Sequence, residues 1–215
     1  RADYQNFLKL GQHFNCINFI GGYPVEPVDL HASTRHLDAL YDMAVLTDKP
    51  MKAYMLGQER ATDALEIARL ARGISHEQFE REPSLTTIVN TNSPLKLDWN
   101  MLNGMMNMSS KGQIVCVTPF TLAGAMAPVT IAGALVEQNA EALAGLAFCQ
   151  MVKKGAPVIY GGFTSNVDMK SGAPAFGTPE YMKAVVAGGQ LARRYKLPYR
   201  TSNTCDANVA DAQAA

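Results

Sequence analysis

Side chains able to do acid–base, nucleophilic or metal chemistry are sparse in this sequence and poorly spaced for it. His31 and His36 lack the H-E-x-x-H pattern that puts two imidazoles and a general base on one helix face. Both are read as helix-surface residues, and Asp29 near His31 does not make a dyad. The cysteines, Cys16, Cys116, Cys149 and Cys205, are far apart and share no metal-ligand spacing, so no metal site is expected. Three lie in or beside apolar patterns, as buried thiols of a reducing compartment do. Cys205 lies in a polar turn, where a reactive thiol competes with an ordinary one. Lys170 has the chemistry for a Schiff base, and a solvated or ion-paired lysine is the plainer reading.

Neutral hydrogen-bonding groups and rings remain, and they fall where apolar runs end. These are Asn90, Asn92, Trp99, Thr118, Phe120, Tyr160, Phe163 and the single cation Arg200. Such a set suits a small polar or cationic ligand better than a phosphorylated one. An aromatic face attracts a quaternary ammonium group through the ring quadrupole, by about 0.5–2 kcal/mol per contact. Arg200 can grip a carboxylate with two parallel N–H donors if its side chain points inward. The competing reading for Tyr160 and Phe163 is that they pack beneath a loop.

These residues need elements to hold them. Apolar runs of strand length are Cys16–Gly21, Lys52–Leu56, Leu85–Asn90, Gln113–Thr118, Pro157–Gly162 and Pro198–Ser202. Most are continuously apolar, as parallel strands covered on both faces are. Helical patterns separate them, over 29–46, 59–73, 97–112, 127–155 and 178–195. Gly73 is placed to end one helix; Thr178 is placed to cap another, with Pro179 in its first turn. Met101, Met105 and Met108 at helical spacing read as core.

About six β-then-α units result, with a helix from Arg1 to about Phe14 ahead of them and a helical start after the last strand. That count predicts an incomplete (β/α)8 TIM barrel, α/β in class, rather than a doubly wound sheet of six strands. No Gly-rich phosphate fingerprint follows the first run, where "GGYPVEP" puts two prolines instead. In a barrel, the loops after the strands carry function.

Composition sets the remaining bounds. The 215 residues fit one domain, 47% hydrophobic content provides a core, and a net charge of +0 offers no field for nucleic acid. No stretch is apolar for long enough to span a membrane, and no secretory leader pattern opens the sequence. A cytoplasmic location is expected. Unpaired strand edges in an incomplete barrel predict a homo-oligomer.

At "NTNSPL", "APVTIAGALVEQNAEALAG", "MKSGAPAFGTPE" and "NTCDANVADAQAA" the sequence resembles the trimethylamine methyltransferase family; "INFIGGYPVEPVDL" and "LDALYDMAVLTDKP" are also typical of it. The resemblance runs through the whole chain. It implies a TIM-barrel enzyme, with residues 1–215 as the central portion of one methyltransferase domain. It implies methyl transfer from a methylated amine to the Co(I) of a corrinoid-binding protein. The cobalamin belongs to that partner, and no cofactor is bound by this chain. Trimethylamine-using members carry pyrrolysine shortly before the "DAQA" motif, and the matching position here is Thr204. That departure points away from trimethylamine and toward a quaternary amine such as glycine betaine. Two other classes compete: a betaine-type binding module without turnover, and an unrelated barrel lyase or isomerase using Lys170.

Overall fold

A computed structural model of the chain describes residues 1–23 and 25–202. Their elements are α1 (Ala2–His13), α2 (Arg35–Leu46), β1 (Met51–Lys52), α3 (Gln58–Arg72), α4 (His76–Arg81), β2 (Leu85–Val89), α5 (Trp99–Ser110), β3 (Ile114–Val117), β4 (Leu122–Ala123), α6 (Ile131–Val152), β5 (Val158–Gly161), β6 (Ser165–Val167), β7 (Pro174–Ala175), α7 (Pro179–Arg194) and β8 (Tyr199–Arg200). The main sheet is parallel, with five strands in the order β1-β2-β3-β5-β8. Strand then helix is the repeating pattern, so the class is α/β. The described strands do not close into a barrel.

Contacts group the chain into two compact units. The first comprises Arg1–Ile88, Trp99–Val115 and Val152–Pro157. Within it α2 packs on α1 and α3, and α3 on α5. Met105 and Met108 are fully buried there, the core role their spacing predicts, while Met101 is half-buried. Gly73 adopts the left-handed conformation, φ 62°, and closes α3, which a Cβ would resist.

The second unit comprises Val89–Asp98, Cys116–Met151 and the chain from Val158 onward. It holds α6, β5 and a small separate sheet in the order β4-β6-β7. Helix α7 lies against β6 and β8. Its start is the expected one: Pro179 stands in the first turn, and Thr178 Oγ1 accepts from the Tyr181 N–H at 3.3 Å. No helix among the described residues is long and apolar enough to cross a membrane.

Three expectations need correction. Cys16–Gly21 forms no strand; of that run only Ile20 is buried, and Gly21–Gly22 then turns the chain, Gly22 with φ 68°. An apolar run without a neighbouring strand has no ladder to join. The second run pairs only at Met51–Lys52, because beyond it Tyr54 and Leu56 turn out to solvent. Strands β4, β6 and β7 and helix α4 were unexpected. All three strands are two or three residues long, too short for a periodicity to register.

Candidate functional site

Register sorts the side chains of the last two strands. β5 and β8 run parallel, with Tyr160 opposite Tyr199 and Gly161 opposite Arg200. Tyr199 turns toward α7, where its hydroxyl donates to the Val185 carbonyl at 3.1 Å. A Cβ on Gly188 would stand 2.4 Å from that hydroxyl, so the helix must carry glycine at this crossing. Tyr160 shares this face. It is fully buried, its ring centroid lies 6.1 Å from Tyr195 and 6.2 Å from Tyr199, and its hydroxyl donates to Asn139 Oδ1 at 3.1 Å. Burial above all pushes its phenol up to about 12. Because successive side chains alternate, Arg200 and Gly161 take the opposite face.

Four other rings gather where β3 and β5 end. Phe120 and Phe163 stack with centroids 5.0 Å apart and planes 24° from parallel. Phe176 stands 5.1 Å from Phe163, and Tyr181 meets Phe163 edge-on at 5.7 Å and Phe176 at 6.0 Å. The three phenylalanines are half-buried, and Tyr181 is fully buried.

Backbone pairing places these rings. The Phe163 N–H donates to the Pro119 carbonyl at 3.0 Å and the Ser165 N–H to the Thr121 carbonyl at 3.1 Å, which sets the two loops in step. β6 then pairs antiparallel with β7, Asn166 opposite Ala175, and delivers Phe176 just beyond. Behind the pair stands Gln138 of α6, 1% exposed. Its Oε1 accepts from Thr164 Oγ1 at 2.6 Å, and Thr164 and Thr121 join hydroxyl to hydroxyl. These threonines directly follow Phe163 and Phe120, so one buried amide anchors both ring-bearing loops. A Cβ on Gly162 would come within 2.6 Å of that amide, which is why the strand ends in glycine there.

The Tyr181 hydroxyl lies beside the hydroxyls of Ser202 and Thr201. Burial raises its pKa, opposed by the nearby hydroxyls of Ser202 and Thr201 and by the charge of Arg200. Arg200 is half-buried and its guanidinium makes no ion pair or hydrogen bond among the described residues.

The remaining expected residues scatter. Thr118 is 1% exposed, with its hydroxyl 3.3 Å from Cys116 Sγ. Asn90 and Asn92 are exposed, and Asn92 Oδ1 takes the Asp98 N–H at 3.1 Å within its own loop. The inward member of "NTNS" is Thr91, which donates to Glu141. Ser93 Oγ and the Leu95 N–H donate to the same carboxylate at 2.8 and 2.7 Å. Glu137, one turn earlier, is pushed up by burial and then by Glu141. Trp99 is 69% exposed, and Lys170 is exposed rather than desolvated as an amine nucleophile would be. His36 pairs with Asp63 at 2.9 Å, and His31 contacts Ser33. Among the described residues, no group of His, Cys, Asp and Glu could hold a metal ion. Thr204 and Cys205 lie outside the described residues.

The structure thus brings Phe120 and Phe163 together, leaves Arg200 on the strand face opposite Tyr199, and sends Tyr160 to the helix side. Phe176, Tyr181, Gln138 and Glu141 were missed. For the last two a signal existed: polar residues at i and i+3 on the buried face of a largely apolar helix.

The sequence model of the trimethylamine methyltransferase family matches residues 1–215. The glycine betaine methyltransferase of Desulfitobacterium hafniense (strain Y51) is 38% identical over 213 residues, 99% of this chain and 44% of that protein. The proline betaine:corrinoid methyltransferase of Eubacterium limosum is 32% identical, over 94% of this chain and 43% of its own length. A trimethylamine methyltransferase of Methanosarcina barkeri is 33% identical over 150 residues, 69% of this chain and 30% of that one. The chain spans less than half the length of each of these relatives. It belongs to the trimethylamine methyltransferase family.

Proposed function

We propose that this member of the trimethylamine methyltransferase family serves to move a methyl group from a quaternary amine, glycine betaine fitting best, to the Co(I) of a corrinoid carried by a partner protein. The observation that carries the reading is the Phe120, Phe163, Phe176 and Tyr181 cluster. Rings suit the trimethylammonium head, and a guanidinium suits the carboxylate. Two of the similar proteins are named for betaines. Thr204 at the position of pyrrolysine supports the same choice. The finer architecture, a (β/α)8 barrel of which residues 1–215 are the central portion, belongs to this proposal. Its support is the parallel strand order with alternating helices and the greater length of the relatives.

The corrinoid supplies the nucleophile when it is bound. The residues of this chain hold the cation, align its C–N bond and exclude water. When that bond breaks, both electrons stay on nitrogen, so the amine leaves neutral and takes up no proton. A site built of rings, hydroxyls and amides meets that requirement.

Calorimetric titration of the full-length protein tests the reading. Glycine betaine is compared with 3,3-dimethylbutanoate, which replaces the charged nitrogen by carbon at nearly constant shape. Betaine is expected to bind tighter by roughly tenfold or more, the sum of two or three ring contacts. Equal affinity would remove the cation from the account, and tighter trimethylamine binding would remove betaine. Methyl transfer to added Co(I) cobalamin separates turnover from binding alone.

A further inference from the structure

The segment that carries Phe163 presents every second residue to one side chain of α6. The Tyr160 hydroxyl lies 3.5 Å from Gln138 Nε2, a Cβ on Gly162 would stand 2.6 Å from the same nitrogen, and Thr164 Oγ1 donates to Gln138 Oε1 at 2.6 Å. Residues 160, 162 and 164 therefore share the face toward α6, and Phe163 takes the other. Gln138 grips the back of an extended segment whose front bears the ring.

The grip extends to the second ring-bearing loop. Thr164 and Thr121 join hydroxyl to hydroxyl. A hydroxyl has one proton to give, and Thr164 gives its own to Gln138, so Thr121 is the donor to Thr164. The bonds thus run one way, from Thr121 to Thr164 to Gln138, through residues that are at most 2% exposed. Phe120 directly precedes Thr121 and Phe163 directly precedes Thr164, so each stacked ring is one residue from a link of this chain. An amide buried on a largely apolar helix is costly unless its polar atoms are matched, and methionine would fill the same space without that demand.

We propose that Gln138 is a positioning residue that sets the spacing and tilt of the stacked Phe120 and Phe163 rings, and through them the preference of the site for a cationic over a neutral ligand. The inference rests on the quaternary-amine reading of the ring cluster and adds to it a residue that acts from behind the rings, without touching the ligand. The attraction of a cation to a ring needs the charge over the ring face and near its centroid. Dispersion contact with an uncharged body of the same shape accrues over many atoms and tolerates a change of ring tilt. Loosening the two loops therefore costs charge recognition first and shape recognition much less.

The test is Gln138→Met in the full-length protein, which keeps the length of the side chain and removes its hydrogen bonds. The quantities read are the melting temperature, the Kd for glycine betaine and the Kd for 3,3-dimethylbutanoate, the neutral analogue of the same shape. The melting temperature should fall, because Thr164 loses its acceptor. The preference for betaine over the analogue should shrink about three- to tenfold, the order of one ring contact, while the analogue binds within about twofold of its wild-type affinity. Thr164→Val and Thr164→Ser carry the test where Gln138→Met does not fold: the valine variant, without the hydroxyl, should lose the preference by the same factor, and the serine variant, which keeps it, should retain it. A folded Gln138→Met or Thr164→Val protein with the wild-type preference, or one that binds both ligands more weakly by the same factor, would make Gln138 structural and overturn the proposal. Wild-type protein that shows no preference for betaine would instead defeat the quaternary-amine reading itself, and this inference with it.

Discussion

Two of the aromatic clusters among the described residues, one in each unit, differ in what the chain places against their rings. In the first unit Tyr4, Tyr23 and Tyr54 meet edge to face, with centroids 6.0 and 5.2 Å apart. Lys52 supplies a cation over the Tyr54 ring at 5.2 Å. The Tyr4 hydroxyl donates to the Ala39 carbonyl at 3.3 Å. In the second unit three of the four rings are phenylalanine, two of them stacked, and among the described residues no lysine or arginine sits over their faces. The first cluster thus holds a cation over one ring and a bonded hydroxyl, and the second is mostly phenylalanine with no cation over its faces among the described residues. The first is a finished part of the core; the second has the composition of a binding wall.

The largest expected effect comes from breaking the finished cluster. Tyr4 is 0% exposed and contributes its whole ring to the packing of α1. Tyr4→Ala should cost about 3–5 kcal/mol of stability, the range for a large buried aromatic cut to alanine. Denaturant unfolding measures it. Where the variant remains folded, its betaine affinity should match the wild type. A stable variant with lost affinity would assign the ligand to the wrong cluster.

Phe163→Ala should do the reverse. The side chain is half-buried, so the loss of stability is smaller, while the ring most central to the open cluster disappears. The kinetic signature follows from the charge. Nitrogen is cationic in the substrate and approaches neutrality as the C–N bond breaks, so a ring face holds the substrate more tightly than the transition state. Losing the ring should raise KM about three- to thirtyfold, corresponding to about 0.5–2 kcal/mol, and leave kcat within about threefold. A fall in kcat at constant KM would mean that Phe163 aligns the reacting bond rather than holding the cation.

How much of this was legible in the sequence depends on the length of the signal. Long apolar runs bounded by glycine and proline located the strands at 85, 113, 157 and 198, and the Thr178–Pro179 pair marked the start of α7. Cys16–Gly21 misled because apolar content does not supply a neighbouring strand. Phe120 and Phe163 were legible because each lies just past a strand end, in the loop that follows β3 or β5. Phe176 was not, since β6 and β7 deliver it and those strands are too short to show a period, and Tyr181 was not, since the helix pattern that holds it does not say which rings it meets. Tyr160 stands immediately before Gly161–Gly162, yet the two-residue alternation turns it to the helices. Which face a strand residue takes is fixed by what packs against it, here Tyr199 and α7, and that is a tertiary fact.

The smallest expected effect compares buried tyrosines of the two units by pH. Burial raises Tyr23 in the first unit and Tyr160 in the second to the same value, about 12. In the unfolded chain both ionise near the ordinary phenol value of about 10. Above that pH the unfolded state has released these protons while the folded state still binds them. Stability from each group is therefore complete below pH of about 10 and is lost as pH rises toward 12, with a slope of at most about 1.4 kcal/mol per pH unit per group. Tyr23→Phe and Tyr160→Phe should each flatten the alkaline limb of a stability-versus-pH curve by one proton. They should differ at neutral pH. Tyr160→Phe leaves Asn139 Oδ1 without its donor and should lose about 1 kcal/mol there. Betaine affinity should stay constant in both, because Tyr160 faces the helices. Loss of betaine binding in Tyr160→Phe would return that ring to the ligand and redraw the boundary between the closed and open clusters.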